Sequence, residues 1–472
     1  MSRARHADRS QVFLLPPSLD DWVEPDHPVR FVADLVASLD LPSLGFRTPA
    51  AEGRRPYAAE LLLGVWLFGW MERVRSSRAL EKACLRDVAF RWLTGNQPPD
   101  HVTLWRFFDQ NKARLKPLFR RVVRVAAEAG LVGFALHALD GTKLQAAGST
   151  DTAWHKARLL ERLAELGAWV EAEMARVERA EAAEAPGYRM PASLADAEAR
   201  RAELRAALAR VLEAETEHLQ PGEPEARPMK LRGGGIALGY NAQAVVDDDS
   251  GLVVAAELVA EAHDHGQLGP RLGEVVETFG RAAELSVADA GYDDGASFAD
   301  AEMRRIAVAV PLQAPSEKGP YAKDMFRYDE ARDAYVCPRG ALLPLEALHR
   351  PTTGKPQPRA LYRCRERACP ARADCSTDPK GRAVRRLPFE PARARQAERN
   401  ARPDERRAIE LRKAIVEPAF AQIKHNDGFR RFTVRGLVGA GAQWALACLA
   451  LNLRTLGEAW ATGLLRLRPA SG

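Results

Sequence analysis

Three carboxylates, Asp140, Asp289 and Glu417, stand where an apolar run ends or a helix turns. Asp140 follows Ala135–Leu139 and Asp289 follows Leu285–Ala288. Glu417 precedes Pro418, a pairing that predicts a helix start or a kink. Acids fixed at strand ends and on a facing helix can meet in one cleft. Carboxylates that close repel one another unless cations lie between them, and an all-oxygen ligand set suits Mg2+ or Mn2+. Two such ions would stabilise the attacking and leaving oxygens of an in-line phosphoryl displacement, with no covalent protein nucleophile. Taken singly, each acid reads more readily as a turn or cap residue. The chemistry therefore depends on the three acting together.

Cysteines supply a second constellation. Four of the six, Cys337, Cys364, Cys369 and Cys375, fall in one turn-rich stretch that shows no core of its own. Four thiolates fit a tetrahedral structural Zn2+ site, although the spacing is looser than paired Cys-x2-Cys. Disulfides are the weaker reading in an intracellular chain. Cys84 and Cys448 sit in apolar helical contexts and read as core residues. His263-Asp264-His265 could bind a metal or supply a general base, which geometry must decide.

The elements that must position these residues follow from periodicity. Residues 56–130 read as short helices: Tyr57–Arg73 after Pro56, Arg78–Cys84 capped by Ser76 or Ser77, a short one near Asp87–Leu93, and a long stretch from Asp100 or Thr103 to Glu128 kinked at Pro117. DNA binding and helical packing or dimerisation fit this region equally. Phe134–Leu139 reads as a strand carrying Asp140 at its end, joined to a second strand. Residues 152–219 are rich in Ala, Glu, Arg and Leu, with a break at Pro186-Gly187, and predict a protruding helical hairpin. Gly239–Asp247 and Leu252–Ala260 form a hairpin about Asp247–Gly251. Gln267–Phe279 is a helix, and Glu284–Ala288 and Ile306–Val310 are short buried strands. Helix resumes from Glu398 to about Trp460.

The 472 residues suffice for two to four domains. With 46% hydrophobic and 28% charged residues, a packed, ordered protein is expected. The net charge of +6 favours polyanions only mildly. Arg382–Lys413 is crowded with arginine and reads as a phosphate-contacting surface, or as a solvated helix face paired with Glu398, Glu405 and Glu410. Neither a secretory signal nor a membrane-length apolar run is visible, so a cytoplasmic protein is expected.

Leu139-Asp140-Gly141-Thr142-Lys143, Ala288-Asp289-Ala290-Gly291-Tyr292 and Val416-Glu417-Pro418-Ala419-Phe420 with Lys424 resemble the three catalytic blocks of bacterial insertion-sequence DDE transposases, in the branch with a cysteine-bearing insertion. Arg75–Glu81, Pro99–Phe107, Met229-Lys230 with Gly239–Gln243, and Gly428–Phe432 also fit, in order, across about residues 10–456. The resemblance implies an α/β catalytic core, an RNase H-like mixed sheet with flanking helices. Around it would lie an N-terminal all-α domain (1–130), a helical hairpin insertion (152–227), a small Cys-rich zinc insertion (320–394) and a tail (461–472), the core being 131–151, 228–319 and 395–460. It implies cleavage of double-stranded DNA at transposon ends and strand transfer into target DNA by two Mg2+ or Mn2+ ions on Asp140, Asp289 and Glu417. The partners would be DNA and a second copy of the chain, in a bacterial cytoplasm at the nucleoid. Lys424, seven residues after Glu417 and on the same helix face, is expected on DNA phosphate with Lys413, Arg430 and Arg431. The family's Arg four residues before the Glu is Lys413 here, without the bidentate fork, and the Tyr three before that is Glu410. Asp264 would lie in a loop near the site where the family commonly has an acid. A silent DNA-binding relative and a nuclease without strand transfer are the competing readings.

Overall fold

A computed structural model describes residues 18–47, 56–149, 153–182, 192–214, 216–231, 235–314, 319–351 and 357–468. The N-terminal region is helical: α1 (Pro28–Ala37), α2 (Ala59–Met71), α3 (Ser77–Arg86), α4 (Val88–Leu93), α5 (His101–Asn111) and α6 (Leu115–Glu128). Local caps set these boundaries. Ser76 Oγ accepts from the Ala79 amide at 3.2 Å, and Asp100 Oδ1 accepts from those of Val102 and Thr103 at 2.9 and 2.8 Å. The stretch expected to run unbroken from Asp100 to Glu128 is interrupted by a 3-10 turn at Lys112–Arg114. Pro117 makes no kink there. It falls in the first turn of α6, where its missing N–H would have had no intrahelical partner.

Strand β1 (Leu136–Gln145) leads to β2 (Trp154–His155), which pairs with β3 (His218–Leu219) at the base of two packed helices, α7 (Lys156–Ala182) and α8 (Ala192–Glu213). These are the two expected arms; the break at Pro186-Gly187 lies outside the described residues. The sheet then resumes with β4 (Arg227–Lys230), β5 (Ile236–Asp247) and β6 (Val253–Val259), followed by α9 (Leu268–Phe279), β7 (Leu285–Val287), α10 (Gly295–Met303) and β8 (Val308–Ala309). Its order is β4-β5-β1-β7-β8, with β6 also on β5. The β1/β5 and β5/β6 pairs are antiparallel, and β1/β7 and β7/β8 are parallel. The short parallel strands are connected by helices, as parallel pairing requires.

Residues 327–386 form a separate five-stranded antiparallel sheet: β9 (Arg327–Asp329), β10 (Ala334–Val336), β11 (Leu342–His349), β12 (Arg359–Arg363) and β13 (Ala383–Arg386), with the short helix α11 (Arg372–Cys375) between β12 and β13. The expectation that this insertion has no core of its own is wrong. Phe326, Tyr335, Leu343, Tyr362 and Val384 are buried together. Tyr328, Tyr335 and Tyr362 meet edge to face, and Asp333 accepts from the Tyr328 and Tyr362 hydroxyls at 2.7 and 2.6 Å. Aromatic residues so scattered in sequence give no periodic signal, and the pairing of strands alone unites them.

The chain ends in α12 (Glu390–Asn400), α13 (Pro403–Ala421), a π-helical turn (Gln422–Asn426) and α14 (Leu437–Ala461). Helix α13 packs across β1, β5, β7 and β8, while α14 packs on β6 and on α1, α2 and α6. One hydrophobic cluster therefore runs from the N-terminal helices through α14 into the main sheet. Polar side chains of α14 also fix β5 and β6. Asn452 bonds both the amide and the carbonyl of Val253 at 2.8 Å, where the β5/β6 register shifts, and Trp444 Nε1 donates to the Gln243 carbonyl. No described helix is long and apolar enough to cross a membrane.

Candidate active site

The parallel register of β1 and β7 runs Leu136↔Leu285, His137↔Ser286 and Ala138↔Val287. Asp140 and Asp289 each lie two residues past the last of these pairs. Asp289 Oδ1 accepts from the Gly291 amide at 2.8 Å and caps the 3-10 turn Ala290–Tyr292. Asp140 Oδ1 accepts from the Gly141 amide at 2.8 Å, and its Oδ2 meets Arg412 Nη1 of α13 at 2.7 Å. Burial raises the Asp140 carboxyl above its ordinary value; the Arg412 charge and hydrogen bond oppose this, and the charge of Asp289 adds to it.

A third acid joins these two. Asp264 Oδ1 accepts from Asn241 Nδ2 at 2.7 Å and Gln243 Nε2 at 2.6 Å, with Lys143 Nζ at 3.4 Å. Tyr292 lies among the three, donating its hydroxyl to Gln243 Oε1. Its phenol is pushed well up by burial first, then by the charges of Asp264, Asp140 and Asp289. Gly141 permits this approach: a Cβ there would lie 2.4 Å from Asp264 Oδ1 and 2.3 Å from Gln243 Nε2. Of the His-Asp-His loop, then, Asp264 enters the cluster, while His265 stands 3.7 Å from Asp294 and is exposed.

Glu417 is exposed on α13 and lines an open cleft of about 670 Å³ with Asp140, Thr142, Lys143, Lys230, Lys424 and His425. Pro418 lies inside α13 rather than at its start, so the Ala414 carbonyl loses its helical donor. The helix widens into its π-helical turn four residues later, a feature frequent at functional sites. That turn carries Lys424, whose Nζ donates to Thr142 Oγ1. Arg430 braces it, donating from Nε to the Lys424 carbonyl at 3.0 Å with Nη2 3.0 Å from His425 Nδ1. Arg431 donates to the carbonyls of Ala146 and Ala147 at 3.2 and 2.8 Å and so fastens the segment to the end of β1. Lys413 is exposed on α13.

Among the described residues, no three His, Cys, Asp or Glu side chains stand close enough together to hold a metal ion. Asp140 stands on β1 and Asp289 just past the neighbouring β7, and Glu417 lines the same cleft as Asp140, without the three closing into a ligand sphere. The four insertion cysteines likewise share a neighbourhood short of a ligand sphere. Cys337, Cys364 and Cys375 pack against the small core, and the Cys375 thiol is pushed up by burial, with Arg382 opposing and the other three cysteines adding.

Sequence reasoning named Lys230 only as part of the Met229-Lys230 block and did not single out Arg412. Arg412 was one arginine of a crowded run, and only the packing of α13 on the sheet selects it. The polar residues Asn241 and Gln243, at period two in an apolar strand and fully buried, were a readable sign that one face of β5 serves a polar site.

Two family models match the chain. A transposase DDE domain model covers residues 336–457, and a transposase domain model (DUF772) covers residues 17–110. The first spans Glu417, Lys424 and the four insertion cysteines; Asp140 and Asp289 lie between the two matches. No curated protein matches the chain. A transposase DDE domain toward one end and a transposase domain toward the other support an insertion-sequence DDE transposase, an enzyme of the DNA nuclease and polynucleotidyl transferase class.

Proposed function

We propose that this transposase cuts double-stranded DNA at transposon ends and joins the ends to target DNA by metal-dependent in-line phosphoryl transfer. Its core would be RNase H-like, with Asp140, Asp289 and Glu417 as metal ligands. The observation that supports this reading is the β1/β7 register, whose last pair, Ala138 with Val287, lies two residues before Asp140 and two before Asp289. The order β6-β5-β1-β7-β8, three antiparallel strands continued by two parallel ones, supports the core assignment.

The donor set fits hard divalent cations. Asp140, Asp264 and Asp289 all act on the one phenol of Tyr292, and Asp140 already pairs with a cation, Arg412. Asp140 and Asp289 would hold the ions with Glu417, and bound Mg2+ or Mn2+ would polarise the phosphoryl oxygens and activate the attacking hydroxyl. The protein's own residues orient the DNA. Lys143, Lys230 and Lys424 line the cleft beside Asp140, and the Lys424 ammonium is carried by a turn braced by Arg430 and Arg431. Exposed Arg406, Arg407 and Lys413 of α13 extend positive charge outward, whereas Arg393, Arg395 and Arg399 of α12 are paired with Asp293 and Glu302. Asp264 keeps Asn241, Gln243 and Lys143 oriented beside the acids. In the insertion, Cys337, Cys364, Cys369 and Cys375 would hold Zn2+. Two copies of the chain would act together on paired ends.

Asp289→Asn tests this reading. The variant is expected to bind end DNA as the parent does while losing Mg2+-dependent nicking and joined product. Retained cleavage overturns the site.

A further inference from the structure

Arg412 reaches from α13 into the sheet with its side chain only 10% exposed, against 19% for Asp140. Its Nη1 lies 2.7 Å from Asp140 Oδ2, while Oδ1 is taken by the Gly141 amide at 2.8 Å. Both oxygens of Asp140 are thus engaged, the outer one by a buried guanidinium. A side chain so placed does not act as a surface charge. It neutralises an acid that stands on β1, beside the strand that ends before Asp289, and that shares a cleft with Glu417.

We propose that Arg412 is a positioning residue that stands in for a divalent cation: it holds Asp140 Oδ2 and must release it when an ion binds. The inference rests on Asp140 being an ion ligand. An ion entering the site competes with the guanidinium for one oxygen, so the pair weakens metal binding in the absence of DNA. DNA removes that competition, because a phosphate oxygen offers the displaced guanidinium, on the same helix as Glu417, a new charge-assisted partner. Metal loading and DNA loading are thereby coupled, and the enzyme without DNA stays poorly loaded.

The probe is Mn2+ alone, bound to the full chain without DNA and followed by the spectroscopic signal of free Mn2+. Arg412→Gln is expected to tighten Mn2+ binding about fivefold or more, the lower range of coupling between linked sites. In an Asp140→Asn background the same substitution should change nothing. Arg412→Lys, which keeps the charge on a different geometry, should fall between, and it serves if the glutamine variant does not fold. A purely structural role would lower metal affinity and thermal stability together. Equal or weaker Mn2+ binding by both Arg412 variants overturns the proposal. If Asp140→Asn and Asp289→Asn instead leave the parent's Mn2+ binding untouched, the metal-site reading itself has failed.

Discussion

The carboxylate of Asp427, buried just past the π-helical turn that carries Lys424, is held by Arg454 of α14 at 2.9 Å. Arg73 reaches it from the end of α2 at 3.3 Å, and Arg75 donates to its backbone carbonyl. One acid therefore joins the N-terminal helices, α14 and the edge of the cleft. Arg73 is largely exposed and contributes little, so Arg454 is the partner that matters.

Removing that acid should be costly, because it leaves an arginine half-buried without its counter-charge. Asp427→Ala is expected to destabilise the protein by about 3–5 kcal/mol, the range for breaking a buried pair from one side. The expected outcome is a markedly lower melting temperature together with weaker nicking, since the Lys424 turn loses its anchor. A melting temperature within a degree or so of the parent's would contradict it.

Asp264 is predicted to matter through its neighbours. Asp264→Ala takes the acceptor from buried Gln243 Nε2 and leaves Asn241 Nδ2 only the His263 carbonyl at 3.4 Å, a loss of about 1–3 kcal/mol. Residues that orient ligating groups typically change activity about 10–100-fold, and Mg2+-dependent nicking by the variant should fall in that range with end-DNA binding retained. Activity equal to the parent's would remove Asp264 from the site.

Much of this arrangement was readable in the sequence, and its gaps have physical causes. An apolar run closed by an acid and a turn fits Asp289, which caps the turn after β7, but it misreads Asp140: β1 runs on through Gly141 to Gln145, so Asp140 lies in mid-strand and not at a strand end. The β5/β6 hairpin was equally plain from Asp247–Gly251. Arg412 and Asp427 were not readable: each is defined by a partner 272 or 27 residues away. Of the two readings of Pro418, a helix start or a kink, the start fails: the proline lies inside α13, four residues before the turn that widens. The sheet of residues 327–386 escaped because its strands are short, and its tyrosines become a core only once paired.

Acid should expose a second buried carboxylate. Asp247 of β5 would have a raised carboxyl from burial alone. The His137 ring, 3.5 Å away, and hydrogen bonds from the Ser250 hydroxyl and amide and from the Gly133 amide hold it below its ordinary value of 3.8 instead. A depressed folded-state value means that the contribution to stability is fully present above about pH 4 and is lost as the pH falls through the lower, folded value. Melting temperatures from pH 7 to pH 3 should show Asp247→Asn less stable at neutral pH, with the gap to the parent narrowing in acid. A gap that stays constant with pH would show that the carboxylate's charge is irrelevant.

The cysteine module offers the last test, because its core and its metal can be separated. If Cys337, Cys364, Cys369 and Cys375 hold Zn2+, the purified protein should contain the metal in proportion to chain, and Cys364→Ser should lose it. The small core of Phe326, Tyr335, Leu343, Tyr362 and Val384 does not depend on thiolates. Zinc loss should therefore loosen the end of β12, where the Cys364 amide just past the strand donates to the Arg382 carbonyl at 2.9 Å, without unfolding the main sheet. Hydrogen exchange should speed up around residues 359–386 and remain unchanged in β1 and β5. Protein purified without zinc, or a Cys364→Ser variant exchanging like the parent, would remove metal from this module and leave its aromatic core as the sole source of its stability.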